Sequence, residues 1–205
     1  VALSRKIVKR RGCKLNVNKE KSAVLGPDCE DSGVDGRARG WYDTAKGGEG
    51  MGGDRPFEII DYEERYKQAL EDISLPWLLE YDLLEPVDLE MLAEPQRFIA
   101  GGGRVLLARW GDEIVGMVMV ELQGGGQCEL LKFGVKEAYR EHGVGTALLE
   151  AALRAARDAG QKKAVLTSNH KLKDALHLYE KFGFEYVTYS DKWFQLSDIR
   201  MEREL

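Results

Sequence analysis

The chain has 205 residues and a net charge of −5, enough for one domain with a real core plus an appendage. No apolar run approaches the length that spans a bilayer, and the N-terminus has no signal-peptide core. Three cysteines lie far apart, with no CxxC pair, and the three histidines form no ligand pattern. These spacings exclude a zinc site or a disulfide framework and fit a reducing, cytoplasmic setting.

Residues 1–25 carry eight Lys or Arg against one Glu, a basic arm that reads either as a nucleic-acid contact or as a solvated extension. Within it, KLNVNKEKSAVLGP from Lys14 to Pro27 resembles the end of the palm region of group II intron reverse transcriptases. The resemblance covers a short fragment, without the paired catalytic aspartates, so polymerase activity does not follow; Val1 in place of Met suggests that this end is not a natural start. Residues 26–56 hold nine glycines and little hydrophobic pattern, the composition of a flexible linker. Charge shifts near Pro56, from +4 before it to −9 after it. We therefore divide the chain into an extension, 1–56, expected to be disordered, and a globular domain, 57–205. The acidic body argues against broad docking of nucleic acid on that domain.

From Phe57 the pattern predicts a strand to Asp61, a helix over Tyr62–Ile73, and a second helix starting at Pro76. Leu89–Leu92 and Gln96–Ala100 read as further helical turns. Gly101–Gly103 leads into a hairpin of Val105–Trp110 and Glu113–Glu121 turned at Gly111-Asp112.

The stretch CELLKFGVKEAYREHGVGTALLEAALRAARDA, Cys128–Ala159, organises the rest. It predicts a strand to Val135, a polar elbow from Lys136 to His142, and a helix entered through Gly143-Val144-Gly145. Its apolar positions are Val144, Leu148, Ala152, Ala155 and Ala159. A glycine elbow at a helix N-terminus is an anion site, because the first-turn N–H groups lack partners and the macrodipole favours negative charge. The chain has no Gly-Lys-Ser/Thr ending for a Walker loop, and Leu148 stands where a dinucleotide fingerprint needs its third glycine. The form present is Arg-x-x-Gly-x-Gly: Arg140, Gly143 and Gly145. This resembles the pyrophosphate-binding elbow of the GNAT N-acetyltransferase superfamily, which binds acetyl-CoA.

Further on, Lys163–Thr167 reads as a strand, and Ser168 or Asn169 as the cap of a helix over Leu172–Phe182. Phe184–Thr188 and Ile199–Leu205 read as the last strands. AVLTSNHKLKDALHLYEKFGFEYV, Ala164–Val187, resembles the closing motif of the same superfamily. The order β, helices, βββ, α, β, α, β, β predicts an α/β protein with a mixed sheet. The resemblance implies the GNAT acyl-CoA N-acyltransferase fold.

The resemblance also implies a set of site residues. Phe133, Gly134 and Val135 would bind the pantetheine along the strand edge. The elbow, with Arg140, Glu141, His142, Gly143, Val144, Gly145 and Thr146, would bind the pyrophosphate. Amine acetylation needs a base for the amine, stabilisation of the oxyanion, and a proton for the thiolate. Glu129, assigned a face with Leu131, Phe133 and Val135, is the candidate base; it reads equally as a strand-end carboxylate, with a water as the base instead. Tyr179 matches the family's general acid, and its helical spacing with Leu172, Ala175, Leu176 and Phe182 also fits plain core. Asn169 is either a helix cap or a cofactor contact. Lys132, on the opposite face, reads as a solvated lysine or as a contact for an acidic acceptor. Tyr81, Glu85 and Asp88 are conceivable acceptor contacts or surface polar residues. Near the C-terminus, SDKWFQLSDIRMEREL is similar to the tail of some small-molecule acetyltransferases, but has Phe194 and Leu196 at their Tyr and Arg places.

The leading expectation is therefore acetyl transfer from acetyl-CoA to a primary amine of a small molecule or peptide. The alternatives are a non-catalytic acyl-CoA-binding module and nucleic-acid contact through the basic arm. A sheet-edge homodimer is compatible with the resemblance, though no residue specifies one.

Overall fold

The computed structural model describes residues 56–188 and 194–205. The basic arm, the reverse-transcriptase-like segment 14–27 and the glycine-rich stretch lie outside the described residues. Among the described residues, seven strands form one sheet: β1 Phe57–Asp61, β2 Arg104–Trp110, β3 Glu113–Gln123, β4 Gln127–Val135, β5 Lys163–Ser168, β6 Glu185–Tyr186 and β7 Ile199–Glu204. The strand order is β1-β2-β3-β4-β5-β7-β6. Among the described residues only the β4–β5 pair is parallel, joined across helix α4 Val144–Asp158; the other pairs are antiparallel. A parallel pair needs such a crossover, and α4 supplies it.

One face of the sheet buries α4 and α5, Lys173–Lys181, around Leu106, Val118, Leu130, Leu148 and Leu166. The other face buries α1, Lys67–Glu80, α2, Pro86–Ala93, and α3, Gln96–Ala100, against Leu107, Met117, Met119 and Leu131. α4 buries Val144, Ala147, Leu148, Leu149, Ala152, Leu153 and Ala156. This stripe is wider than the expected one and rotated from it: Ala155 is half-buried and Ala159 exposed.

The two helices expected over Tyr62–Ile73 and from Pro76 are one helix, α1, with Pro76 inside it. Glu64–Tyr66, ahead of it, is a 3-10 turn. Pro76 cannot donate to the carbonyl of Asp72; both residues lie on the exposed side of the helix, and the buried side, Leu70, Ile73, Ser74 and Leu78, runs on past it. α5 begins later than expected: Leu172 is its N-cap and no side chain caps it. Asn169 closes the turn before it, its Oδ1 accepting the Lys171 N–H at 3.0 Å. The strand expected over Phe184–Thr188 shrinks to Glu185–Tyr186, because Phe184 turns into the core.

β4 carries the feature that positions the site. Met117 pairs with Gly134 and Met119 with Leu131, so Lys132 and Phe133 oppose the single residue Val118. Lys132 adopts a left-handed backbone, φ 50°. This is a β-bulge, and it resets the side-chain alternation. Cys128, Leu130, Phe133 and Val135 belong to the α4 face. Leu131 belongs to the α1–α3 face, and Gly134 packs there against Trp77 and Ile73. Glu129 therefore shares its face with Leu131, not with Phe133 and Val135 as expected from strict alternation. Lys132 joins that same face. No helix among the described residues is long and apolar enough to cross a membrane.

Candidate active site

β4 and β5 stay paired only from Gln127/Lys163 to Leu130/Leu166. Beyond that point they splay, and the β5 side of β4 from Leu131 to Val135 has no strand partner among the described residues. Unpaired strand backbone is a docking edge, since each residue offers an N–H and a carbonyl. A cavity of about 760 Å³ opens at this splay. Its walls include Phe133, Gly134 and Val135, the elbow, the start of α5, the end of α1, and Phe194–Ser197 without Gln195.

The elbow behaves as its glycines require. Gly143 caps α4 in the left-handed region, φ 79°, and a Cβ there would meet nothing within 4 Å. The first helical bond runs from Ala147 N to Gly143 O at 3.0 Å. The N–H groups of Val144, Gly145 and Thr146 thus have no helical acceptor. Gly143, Gly145, Thr146, Arg140 and Glu141 line the cavity. Arg140 is exposed, with its Nε 3.4 Å from the Val135 carbonyl. The side chains of His142 and Val144 turn elsewhere. His142 stands edge-on to Trp110 at 5.5 Å and Val144 is buried in the core, so only their backbone groups belong to the elbow.

Tyr179 also lines the cavity and is 7% exposed, with ring centroids 5.8 Å from Phe133 and 5.9 Å from Phe184. Burial pushes its phenol well above the ordinary value of 10.0, so it keeps its proton at neutral pH. The ring packs in the core while the residue faces the cavity.

Glu129 is 7% exposed and does not line the cavity. Gln123 Nε2 donates to its Oε2 at 2.5 Å, and its Oε1 is buried without a hydrogen-bond partner. Burial is the main cause raising its pKa, opposed by the Arg200 charge and the Gln123 hydrogen bond. Asn169 is 6% exposed at the cavity wall; its Nδ2 donates to the Leu196 carbonyl at 2.7 Å. With Oδ1 on Lys171, its amide holds two protein segments together.

Two expectations for this region are corrected. Lys132 is not solvated: it is 8% exposed, lines the cavity, and forms an ion pair with Asp88, itself 1% exposed. Asp88 is not a surface residue. Its second oxygen accepts the Glu85 N–H at 2.7 Å, closing the first turn of α2. Phe194 covers the pair, its ring centroid 4.5 Å from Lys132 Nζ. The bulge that turns Lys132 inward has no sequence signal of its own, since most residues with positive φ are glycine.

The family model described as acetyltransferase (GNAT) family matches residues 62–184. The chain belongs to the GNAT acetyltransferase family. Its enzymes take acetyl-CoA as donor, and the free β4 edge, the unpaired elbow N–H groups and the space over Gly143 fit that molecule. A curated relative, the uncharacterized N-acetyltransferase YjgM of Escherichia coli K12, is 26% identical over 143 residues, 69% of this chain and 70% of that protein. Among solved structures, a GNAT acetyltransferase from Staphylococcus aureus Mu50 has a TM-score of 0.66 at 20% identity, covering 72% of this chain and 98% of that one. The PaiA N-acetyltransferase of Thermoplasma acidophilum, in complex with coenzyme A, has a TM-score of 0.60 at 17% identity, covering 73% and 99%.

Proposed function

We propose that the protein moves the acetyl group of acetyl-CoA to a primary amine of a small molecule or peptide N-terminus. When bound, acetyl-CoA supplies an activated acetyl thioester. The backbone of Phe133, Gly134 and Val135 holds the pantetheine arm as an added strand, with a strand N–H polarising the acyl carbonyl. The N–H groups of Gly143, Val144, Gly145 and Thr146, with Arg140 at the rim, bind the pyrophosphate. The contribution of Glu141 and His142 is the backbone that shapes this turn, and Asn169 orients the segment across the opening.

Tyr179 is the general acid: burial keeps its Oη protonated, ready to donate to the departing thiolate. Glu129 does not line the cavity and its Oε1 is buried, so a water in the cavity takes the proton from the amine, and Glu129 is a distant orienting group.

The observation that carries this reading is the convergence of a free strand edge, unpaired elbow N–H groups and a buried tyrosine on one cavity. Calorimetric titration of the full chain with acetyl-CoA, with CoA and ATP in parallel, tests it. Binding of both thioester and free CoA without ATP, followed by thiol release in the presence of amines, supports acetyl transfer. A folded chain that binds neither overturns it.

A further inference from the structure

The elbow is fastened from outside the cavity, by side chains that no step of the acetyl transfer uses. Glu141 adopts a left-handed backbone, φ 64°, two residues before the left-handed Gly143. Glycine takes that conformation freely, whereas a residue with a side chain keeps it only where its surroundings impose it. His142, between the two, supplies the constraint. Its Nδ1 lies 2.7 Å from the Arg140 carbonyl. A carbonyl oxygen only accepts, so Nδ1 carries the proton, and the bond closes a ring across Glu141.

The other side of that imidazole meets the core. It stands edge-on to Trp110, the last residue of β2, with centroids 5.5 Å apart. Trp110 stacks on Phe57 at 5.8 Å and lies 5.3 Å from the Tyr139 ring. Across the hairpin turn, Glu113 accepts hydrogen bonds from Lys136 Nζ at 2.8 Å and Tyr139 Oη at 2.7 Å. Both ends of the β2–β3 turn thus grip the segment 136–142. The two grips are unequal. Glu113 is exposed, and an ion pair in water contributes little. Trp110 packs against the core beside the buried Phe57, so the aromatic contacts carry most of the hold. None of Trp110, Glu113, Tyr139 and His142 lines the cavity.

Resting on the elbow as the pyrophosphate site, we propose that His142 and Trp110 are positioning residues for acetyl-CoA. Their side chains stay outside the cavity and hold the turn 140–143 so that the first N–H groups of α4 share one aim. Without that hold, Glu141 relaxes toward ordinary backbone and the donors lose their common direction.

Calorimetric titration of the full chain with CoA, 4′-phosphopantetheine and pantetheine tests this, since the second lacks the adenosine and the third also lacks the phosphate. His142→Ala should weaken both phosphorylated ligands about tenfold, the worth of one hydrogen bond and one ring contact, and leave pantetheine within about twofold. Trp110→Leu should do the same, and Trp110→Phe, which keeps a ring for His142, should restore most of the affinity. Glu113→Gln should cost less than about threefold. Equal loss for all three ligands would mark the cluster as only structural and overturn the assignment. So would unchanged affinity in a folded His142→Ala chain, or a larger loss in Glu113→Gln than in His142→Ala. Loss confined to CoA would mean that the ring touches adenosine directly, which also overturns it. A parent chain that binds CoA no tighter than pantetheine removes the pyrophosphate reading of the elbow, and this assignment falls with it.

Discussion

Lys132 on β4 and Asp88 on α2 stand 44 residues apart and form an ion pair with side-chain exposures of 4% and 1%. The pair ties the strand bulge to the helix at the cavity wall. Burial lowers the Lys132 pKa while Asp88 opposes that shift. Stability and site geometry therefore share two side chains.

Removing one partner should be costly and removing both much less so. Asp88→Asn leaves a buried ammonium without its counter-charge and is expected to cost about 3–5 kcal/mol. The double change Lys132→Met, Asp88→Leu should recover most of that loss, because neither charge then needs burying. Urea unfolding of the three chains measures this. A loss below about 1 kcal/mol for Asp88→Asn, the range of exposed pairs, would contradict it.

Glu129 predicts a pH dependence of stability. Its folded pKa is raised above the ordinary 4.5, chiefly by burial, so between 4.5 and the folded value the folded state holds more protons than the unfolded one. Stability from this group is complete below 4.5 and is lost as pH rises through the folded value. Glu129→Gln should raise Tm relative to the parent at pH 8, with the gap closing toward pH 4.5. A gap that does not change with pH would remove the argument.

Tyr179→Phe should separate chemistry from binding. The ring remains between Phe133 and Phe184, so folding and acetyl-CoA affinity should persist. Loss of a general acid is expected to lower kcat by about 10²–10⁴-fold. Steady-state thiol release beside calorimetry reads both; an unchanged kcat would return Tyr179 to the core alone.

At Gly143 the backbone, not space, is limiting, since φ is 79° and an added methyl would meet nothing within 4 Å. Gly143→Ala should cost about 1–2 kcal/mol from left-handed strain. Gly143→Asn should cost less, because Asn tolerates that region. Thermal unfolding ranks the two, and equal costs would point to a cause other than φ.

The elements were legible wherever one physical signal dominates. The glycine turn between β4 and α4 was one such place, because Gly143 and Gly145 announce a tight turn at a helix start. The Gly111-Asp112 turn revealed β2 and β3 as a hairpin, and the strand leading into the elbow was legible to Val135. Legibility ended where a tertiary contact overrides a local rule. Pro76 argued for a helix start, yet the helix runs through it, with Leu70, Ile73 and Leu78 buried on both sides of the proline. Asn169 looked like a cap, but its amide bridges Leu196 and Lys171 instead. Strict period-2 counting put Lys132 in solvent and Glu129 beside Phe133, and one inserted residue reversed both.

The sequence by itself determined the family, the strand and helix order, and the elbow, since these depend on residue types at short spacing. Tertiary structure alone decided which charges meet. Lys132, Asp88 and Glu85 converge because the bulge turns one side chain over and α2 packs across it. A long-range pair leaves no periodic trace in the chain, since its two halves are brought together by packing and carry no local preference for one another.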